Sequence, residues 1–150
     1  MIRKSEMLEK MKALAREKDI CVLATVSEGN PHCSLMAYVT GEDCREIYMA
    51  THRKTAKYQN LGENPSVSLL IDTREEHSGA HRPEAKALTV SGVFQPIEDE
   101  SKKGHVRDML LERHPHLKAF LEYSDAEIFS IRVKSFLLLD GLTNAHFQEI

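Results

Sequence analysis

The sequence predicts a mostly β domain with peripheral helices (α+β), built as a small antiparallel barrel of six strands. Three observations lead there. Six short segments of β-branched or alternating apolar character run through the 150 residues, with clusters of Gly, Pro, Asn or Asp between several of them. Helical spacing occurs only at the start, between the third and fourth strands, and between the fifth and sixth. That order lacks the strand–helix–strand rhythm of a parallel doubly wound sheet, which leaves an antiparallel barrel as the best fit. The length suits one domain over 1–150, and folding would bury about two-thirds of the chain's surface.

In chain order, Met7, Leu8, Met11, Leu14 and Ala15 recur at helical spacing and predict a helix over residues 3–18. Ile20 to Val26 is a short apolar run, read as a buried strand, and Ser27-Glu28-Gly29-Asn30-Pro31 is turn chemistry. His32 to Thr40 reads as the second strand. Cys33, Leu35, Ala37 and Val39 fall on one face and Ser34, Met36, Tyr38 and Thr40 on the other. Both faces are apolar or small, so cover is expected on each. Gly41 to Arg45 closes a hairpin into a third strand, Glu46 to Thr51. A helix is expected from Thr55, ended by Gly62 and Asn64-Pro65. Val67 to Asp72 is the fourth strand and Thr73 to Glu84 a polar surface loop. Ala85 to Pro96 is the fifth, with Gly92 as a bulge or close-approach point. A helical insertion follows over about residues 100–121, with Pro115 opening its second helix. Glu127 to Leu139 is the last strand, and the tail from Asp140 to Ile150 carries no clear assignment.

Composition excludes several function classes. With 20 basic and 23 acidic residues the net charge is −3, which argues against nucleic-acid binding driven by phosphate neutralisation. No apolar run reaches the ~20 residues of a membrane-spanning helix. The N-terminus from Met1 to Glu6 has no apolar segment behind its basic pair, so no secretory leader is expected. Cys21, Cys33 and Cys44 form no C-x-x-C pair and are odd in number, which fits a reducing cytoplasm rather than a disulfide framework or a zinc site.

The most informative stretch for chemistry is Thr51-His52-Arg53-Lys54-Thr55-Ala56-Lys57. Three cations and two hydroxyls lie between a strand end and a helix start, a combination suited to a phosphate. A solvated basic loop is the plain alternative. His77 and His81 are spaced i,i+4 but fall in the polar loop, without a third metal ligand; no metal site is expected. His114, His116 and His32 read as structural, and His146 as a lone histidine near the end. Hydrolase nucleophile elbows and phosphate-cradling glycine loops are missing, and no catalytic residue is assigned.

Four pieces then carry a resemblance to the FMN-binding split-barrel family related to pyridoxamine 5'-phosphate oxidase. They are Val22 to Val26 with Gly29-Asn30-Pro31-His32, the strand Ser34-Leu35-Met36-Ala37, Met49-Ala50-Thr51 through Thr55-Ala56-Lys57, and Asn64-Pro65-Ser66-Val67-Ser68-Leu69-Leu70-Ile71-Asp72. The resemblance implies a six-stranded split barrel that binds FMN at a homodimer interface. It gives the FMN phosphate to Thr51, Thr55 and Lys57 with Arg53 as helper. The flavin ring falls to the strand Ser34, Leu35, Met36 and Ala37, and its polar edge to Thr73 and Arg74. It implies an FMN-dependent oxidoreductase acting on a small-molecule substrate, with a reduced nicotinamide as a candidate donor. Two departures stand out. Ala56 replaces the first residue of the Arg-Lys pair common in pyridoxamine phosphate oxidases, and their C-terminal Arg and His motif is not visible, so turnover of pyridoxamine phosphate is not implied. The alternatives are a non-catalytic flavin or haem carrier, with His146 as the first haem-ligand candidate, or a structural dimer whose site is vestigial. Phe94, Phe129 and Phe136 need cover that a dimer interface could provide.

Overall fold

A computed structural model describes residues 3–150; Met1 and Ile2, the start of the N-terminal stretch considered above, lie outside them. Helix α1 spans Lys4–Glu17, followed by β1 (Ile20–Ser27), β2 (Asn30–Ala37), β3 (Val39–Thr40) and β4 (Glu46–His52). Helix α2 (Ala56–Glu63) leads to β5 (Ser66–Asp72) and β6 (Lys86–Pro96). Helices α3 (Glu100–Arg113) and α4 (Lys118–Glu122) precede β7 (Ala126–Asp140) and β8 (Asn144–Glu149).

The sheet is antiparallel throughout and runs β2-β1-β5-β6-β7-β4-β3, with β8 added to β7. Its closure depends on one bent segment. Strand β2 pairs with β1, then at Tyr38 the chain turns and β3 pairs with β4. Tyr38 anchors this corner: its amide donates to the Asp19 carbonyl at 3.0 Å and its buried hydroxyl donates to the Ala15 carbonyl at 2.7 Å. Counting β2 and β3 as one bent strand recovers the six expected strands. The seventh, β8, is the correction: the unassigned tail forms a hairpin with β7.

Local chemistry explains the joints. Glu28 and Gly29, both at positive φ, form the two-residue turn between β1 and β2. The register of β6 against β7 shifts between Ser91 and Gly92 because Lys134 of β7 is an extra, unpaired residue; Gly92 itself is the close-approach point. A Cβ at Gly92 would lie 2.6 Å from Ile131 Cγ2 and 2.7 Å from the Arg132 carbonyl oxygen. Gly62, in contrast, lies inside α2, which ends at Glu63 with Asn64 as its C-cap. Within the polar loop, Gly79 to Glu84 form 3-10 turns.

Two apolar clusters result. The barrel interior holds Leu23, Met49, Leu69, Val90, Phe129 and Phe136, all fully buried, and Met7, Met11 and Leu14 of α1 pack onto it. The second lies outside β4 and β7, where Val106, Leu110 and Leu121 of the insertion cover Tyr48 and Ile128. Phe129 and Phe136 are thus covered by their own chain, and Phe94 packs on Phe129 and Tyr58 at ring-centroid distances of 5.4 and 5.9 Å. The expectation that these phenylalanines need cover from a partner is therefore corrected. The exposed apolar surface lies instead on the outer face of β2, β1, β5, β6, β7 and β8, where Leu35, Leu137 and Phe147 are exposed.

Candidate functional site

The site builds from the end of β4. Residues alternate there, so Thr51 points into the barrel interior and is buried, while His52 points outward and stacks on Phe120 at 4.0 Å. The turn beyond is held by its own hydroxyls. Thr55 is the N-cap of α2: its Oγ1 accepts from the Tyr58 amide at 3.2 Å and donates to the His52 carbonyl at 2.8 Å. The Thr51 and Thr55 hydroxyl oxygens are 3.3 Å apart. The amides of Ala56 and Lys57 belong to the first helical turn and have no intrahelical acceptor.

Lys57 stands out electrostatically. It is half-buried, and its ammonium reaches only the Met36 sulfur, at 3.2 Å. No carboxylate faces it among the described residues. Burial pulls its pKa below the ordinary lysine value because the charge is desolvated without an anion to repay it. A thioether accepts only weakly. The arrangement fits a phosphate: an undercompensated ammonium beside free first-turn amides.

The candidate residues from the sequence divide into three groups. Lys57, Thr51, Thr55 and Met36 come together, with Ser34 on the same face of β2 as Met36. Leu35 and Ala37 point to the opposite, outer face, where Leu35 lines a small cleft of about 190 Å³ with Ile20, Leu70, Asp72 and Arg74. Arg53 is engaged elsewhere: its guanidinium pairs with Glu127 at 3.0 Å and donates to the Ser124 carbonyl at 2.9 Å. It therefore does not supply the charge that Ala56 lacks. Arg74 is held by the Asp72 carboxylate at 2.7 Å. Thr73 is buried, with its hydroxyl 2.7 Å from His77 Nδ1 and accepting the Lys86 amide at 2.9 Å. It serves its own loop rather than an open edge.

His114 is buried, with Nε2 2.9 Å from the Tyr38 carbonyl oxygen. His81 sits 3.1 Å from Glu84. Among the described residues no three His, Cys, Asp or Glu side chains group as a metal site. All three cysteines are free, and burial pushes the Cys21 thiol up to about 12. His146 pairs across from Leu138 on β7, so it faces away from the bare outer sheet.

Sequence reasoning expected cover on both faces of the second strand but did not trace the outer face across the sheet. Cross-strand register aligns Leu35, Val22, Leu70, Thr89, Leu137 and Phe147 in one row over six strands. Leu35 is 74% exposed and Phe147 62%. The signal lay in the period-two pattern of each strand, but aligning the rows required the register.

A curled antiparallel sheet closed by a bent strand, with helices at its periphery and an anion-ready turn after β4, defines a split β-barrel protein. Residues 7–135 match the family model described as pyridoxamine 5'-phosphate oxidase, and the chain belongs to that family. A pyridoxamine 5'-phosphate oxidase homolog of Schizosaccharomyces pombe is 25% identical over 155 aligned positions, covering 81% of this chain and 79% of that protein. A heme-binding protein of Mycobacterium smegmatis superposes with a TM-score of 0.85 over 99% of this chain at 20% identity. This chain spans 60% of that protein's length. An FAD-binding protein of Mesorhizobium loti superposes with a TM-score of 0.71 at 16% identity, covering 87% of this chain and 91% of that one. The two structural likenesses establish the fold alone. No helix among the described residues is long and apolar enough to cross a membrane.

Proposed function

We propose that this chain binds FMN as a homodimer and works as an FMN-dependent oxidoreductase on a small-molecule substrate, with a reduced nicotinamide as electron donor. The observation that carries the reading is Lys57, a half-buried ammonium whose side chain meets only a thioether. A phosphate monoester would supply the missing anion, and the free amides of Ala56 and Lys57 would share its oxygens. Thr51 and Thr55 hold the turn in shape. The β2 edge at Ser34 and Met36 lies beside that corner and would border the ring. Bound flavin would supply the hydride or electron chemistry, and the chain would supply binding, orientation and exclusion of water.

The bare outer face supports the dimer. A row that exposes Leu35, Leu137 and Phe147 is costly in water, and a second copy meeting it would bury it. The odd set of free cysteines supports a reducing, cytoplasmic setting.

The test is an absorption spectrum of the purified protein followed by FMN titration and reduction with NADH or NADPH. A flavin spectrum that Lys57→Ala abolishes supports the reading, and protein that takes up no FMN at micromolar concentration removes it. Bound flavin that no nicotinamide reduces leaves a carrier rather than an enzyme, and a folded dimer indifferent to flavins leaves a vestigial site.

Likeness to the M. smegmatis heme-binding protein favours haem carriage as the second reading. It predicts a Soret band on haem titration. His146 is the first variant to make, although its strand turns it away from the outer face.

A further inference from the structure

Helices α3 and α4 leave a pocket of about 210 Å³ against the start of β7. It lies where the insertion covers the sheet, and none of its lining residues stands in the exposed apolar row or in the phosphate turn. Neither the flavin nor the dimer uses it. Its volume falls below the roughly 300–1,000 Å³ of drug-sized ligand sites, so it suits a small molecule.

The floor is apolar, formed by the buried Leu121 and Ile128. One face of α3 forms the rim through Glu100, Lys103, Gly104 and Arg107, which recur at helical spacing. Lys103 is already matched by Glu127 at 3.3 Å. That leaves one charge of each sign. Glu100 has no hydrogen-bond or ion-pair partner among the described residues. Arg107 makes one hydrogen bond, from Nη1 to the Leu121 carbonyl at 2.9 Å. That bond ties the guanidinium to the floor and leaves its other donors unused.

Gly104 opens the pocket. It lies inside α3, where glycine is the least favourable residue after proline. Its φ is not positive, and a Cβ there would meet nothing within 4 Å. Neither backbone conformation nor close packing calls for glycine at this position. A side chain would stand in the space between Glu100 and Arg107.

We propose that this pocket binds a free α-amino acid with an aliphatic side chain. Glu100 and Arg107 are two helical turns apart, about 10.5 Å along the axis. An ammonium and a carboxylate borne on one carbon, each with a hydrogen bond of about 2.9 Å, bridge their side chains. Arg107 takes the carboxylate and Glu100 the ammonium. The aliphatic chain passes Gly104 and lies on Leu121 and Ile128, where it leaves water.

The test is titration of the intact protein with L-leucine, followed by amide NMR shifts. Shifts at Gly104, Leu121 and Ile128 that saturate at roughly millimolar concentration or below are expected. Gly104→Leu fills the opening and should weaken binding about tenfold or more, with a melting temperature no lower than wild type. Glu100→Gln should weaken it several-fold. Three analogues, each lacking one recognised part, should bind several-fold more weakly: 4-methylpentanoate without the ammonium, leucinol without the carboxylate, and glycine without the side chain. Absence of saturation in that range, equal binding of any one analogue, or unchanged affinity in Gly104→Leu would each overturn the proposal. Both substituted positions are exposed, and circular dichroism confirms that the variants compared are folded.

Discussion

The Lys57 ammonium lies 3.2 Å from the Met36 thioether sulfur and meets no carboxylate. A desolvated lysine of this kind disfavours its own charged form, so its pKa is lowered in the folded state. The unfolded chain then binds more protons, and stability rises with pH through the window below the ordinary value of 10.5. Lys57→Met should therefore leave the apo protein at least as stable at neutral pH. FMN affinity should fall by tenfold or more, about 1.4 kcal/mol. Thermal melts with and without FMN check both halves; a variant that loses stability and keeps FMN contradicts the assignment.

The outer row of the sheet predicts a second outcome. Leu35→Asp places a charge at the β2 end of the exposed apolar row and costs the monomer little, since Leu35 is 74% exposed. Light scattering should show dimer converted to monomer while circular dichroism stays unchanged. An unchanged dimer would move the interface elsewhere.

Gly92→Ala should be the most damaging single methyl in the barrel. The new Cβ would meet the Arg132 carbonyl oxygen at 2.7 Å, and backbone cannot rotate aside as a side chain can. Overpacking of this kind costs about 1–3 kcal/mol, readable as a lower urea midpoint with an unchanged slope.

Lys12 is buried and donates to Asp43 at 2.7 Å across α1 and the turn before β4. The hydrogen bond from Lys12 and its charge hold the Asp43 carboxyl below its usual 3.8. The pair's contribution is therefore complete above the usual value and is lost as pH falls through the depressed one. The stability gap between wild type and Asp43→Asn should be clear at neutral pH and close in strong acid. A gap that stays constant across that range would show that the charge pair contributes nothing.

Arg113 at the end of α3 donates to the carbonyls of Arg16, Glu17 and Lys18, at 2.8, 2.8 and 3.2 Å. It thereby caps the C-terminus of α1 from a distant part of the chain. Arg113→Ala should cost about 1 kcal/mol and raise amide exchange in the last turn of α1, with little change in the barrel strands. Equal exchange throughout would remove the capping role.

Much of this was legible in the residues. The turn at Glu28-Gly29, the helix start at Thr55 and the close approach at Gly92 are local backbone demands that particular residue types announce. The period-two alternation of β2 already placed Ser34 and Met36 on one face and Leu35 and Ala37 on the other. What stayed hidden was non-local. Asn144–Glu149 has little intrinsic strand character and becomes β8 by pairing with β7. Arg53 looked like a phosphate ligand because its neighbours did, and only the fold brings Glu127 to it. Helix α3 buries Val106 and Leu110, which stand at helical spacing in the sequence, but that they cover β4 and β7 follows only from the fold.

Strand β7 has a position that none of its neighbours share. One edge pairs with β6 along nearly its whole length, and the other is divided between β4 and β8. As the chain leaves a ribosome, β1, β2, β5 and β6 can assemble early, while β4 waits with its edge open until residues 126–132 emerge. Closure of the barrel therefore waits for β7, and a chain stalled before that point would present an unpaired strand to any nearby copy.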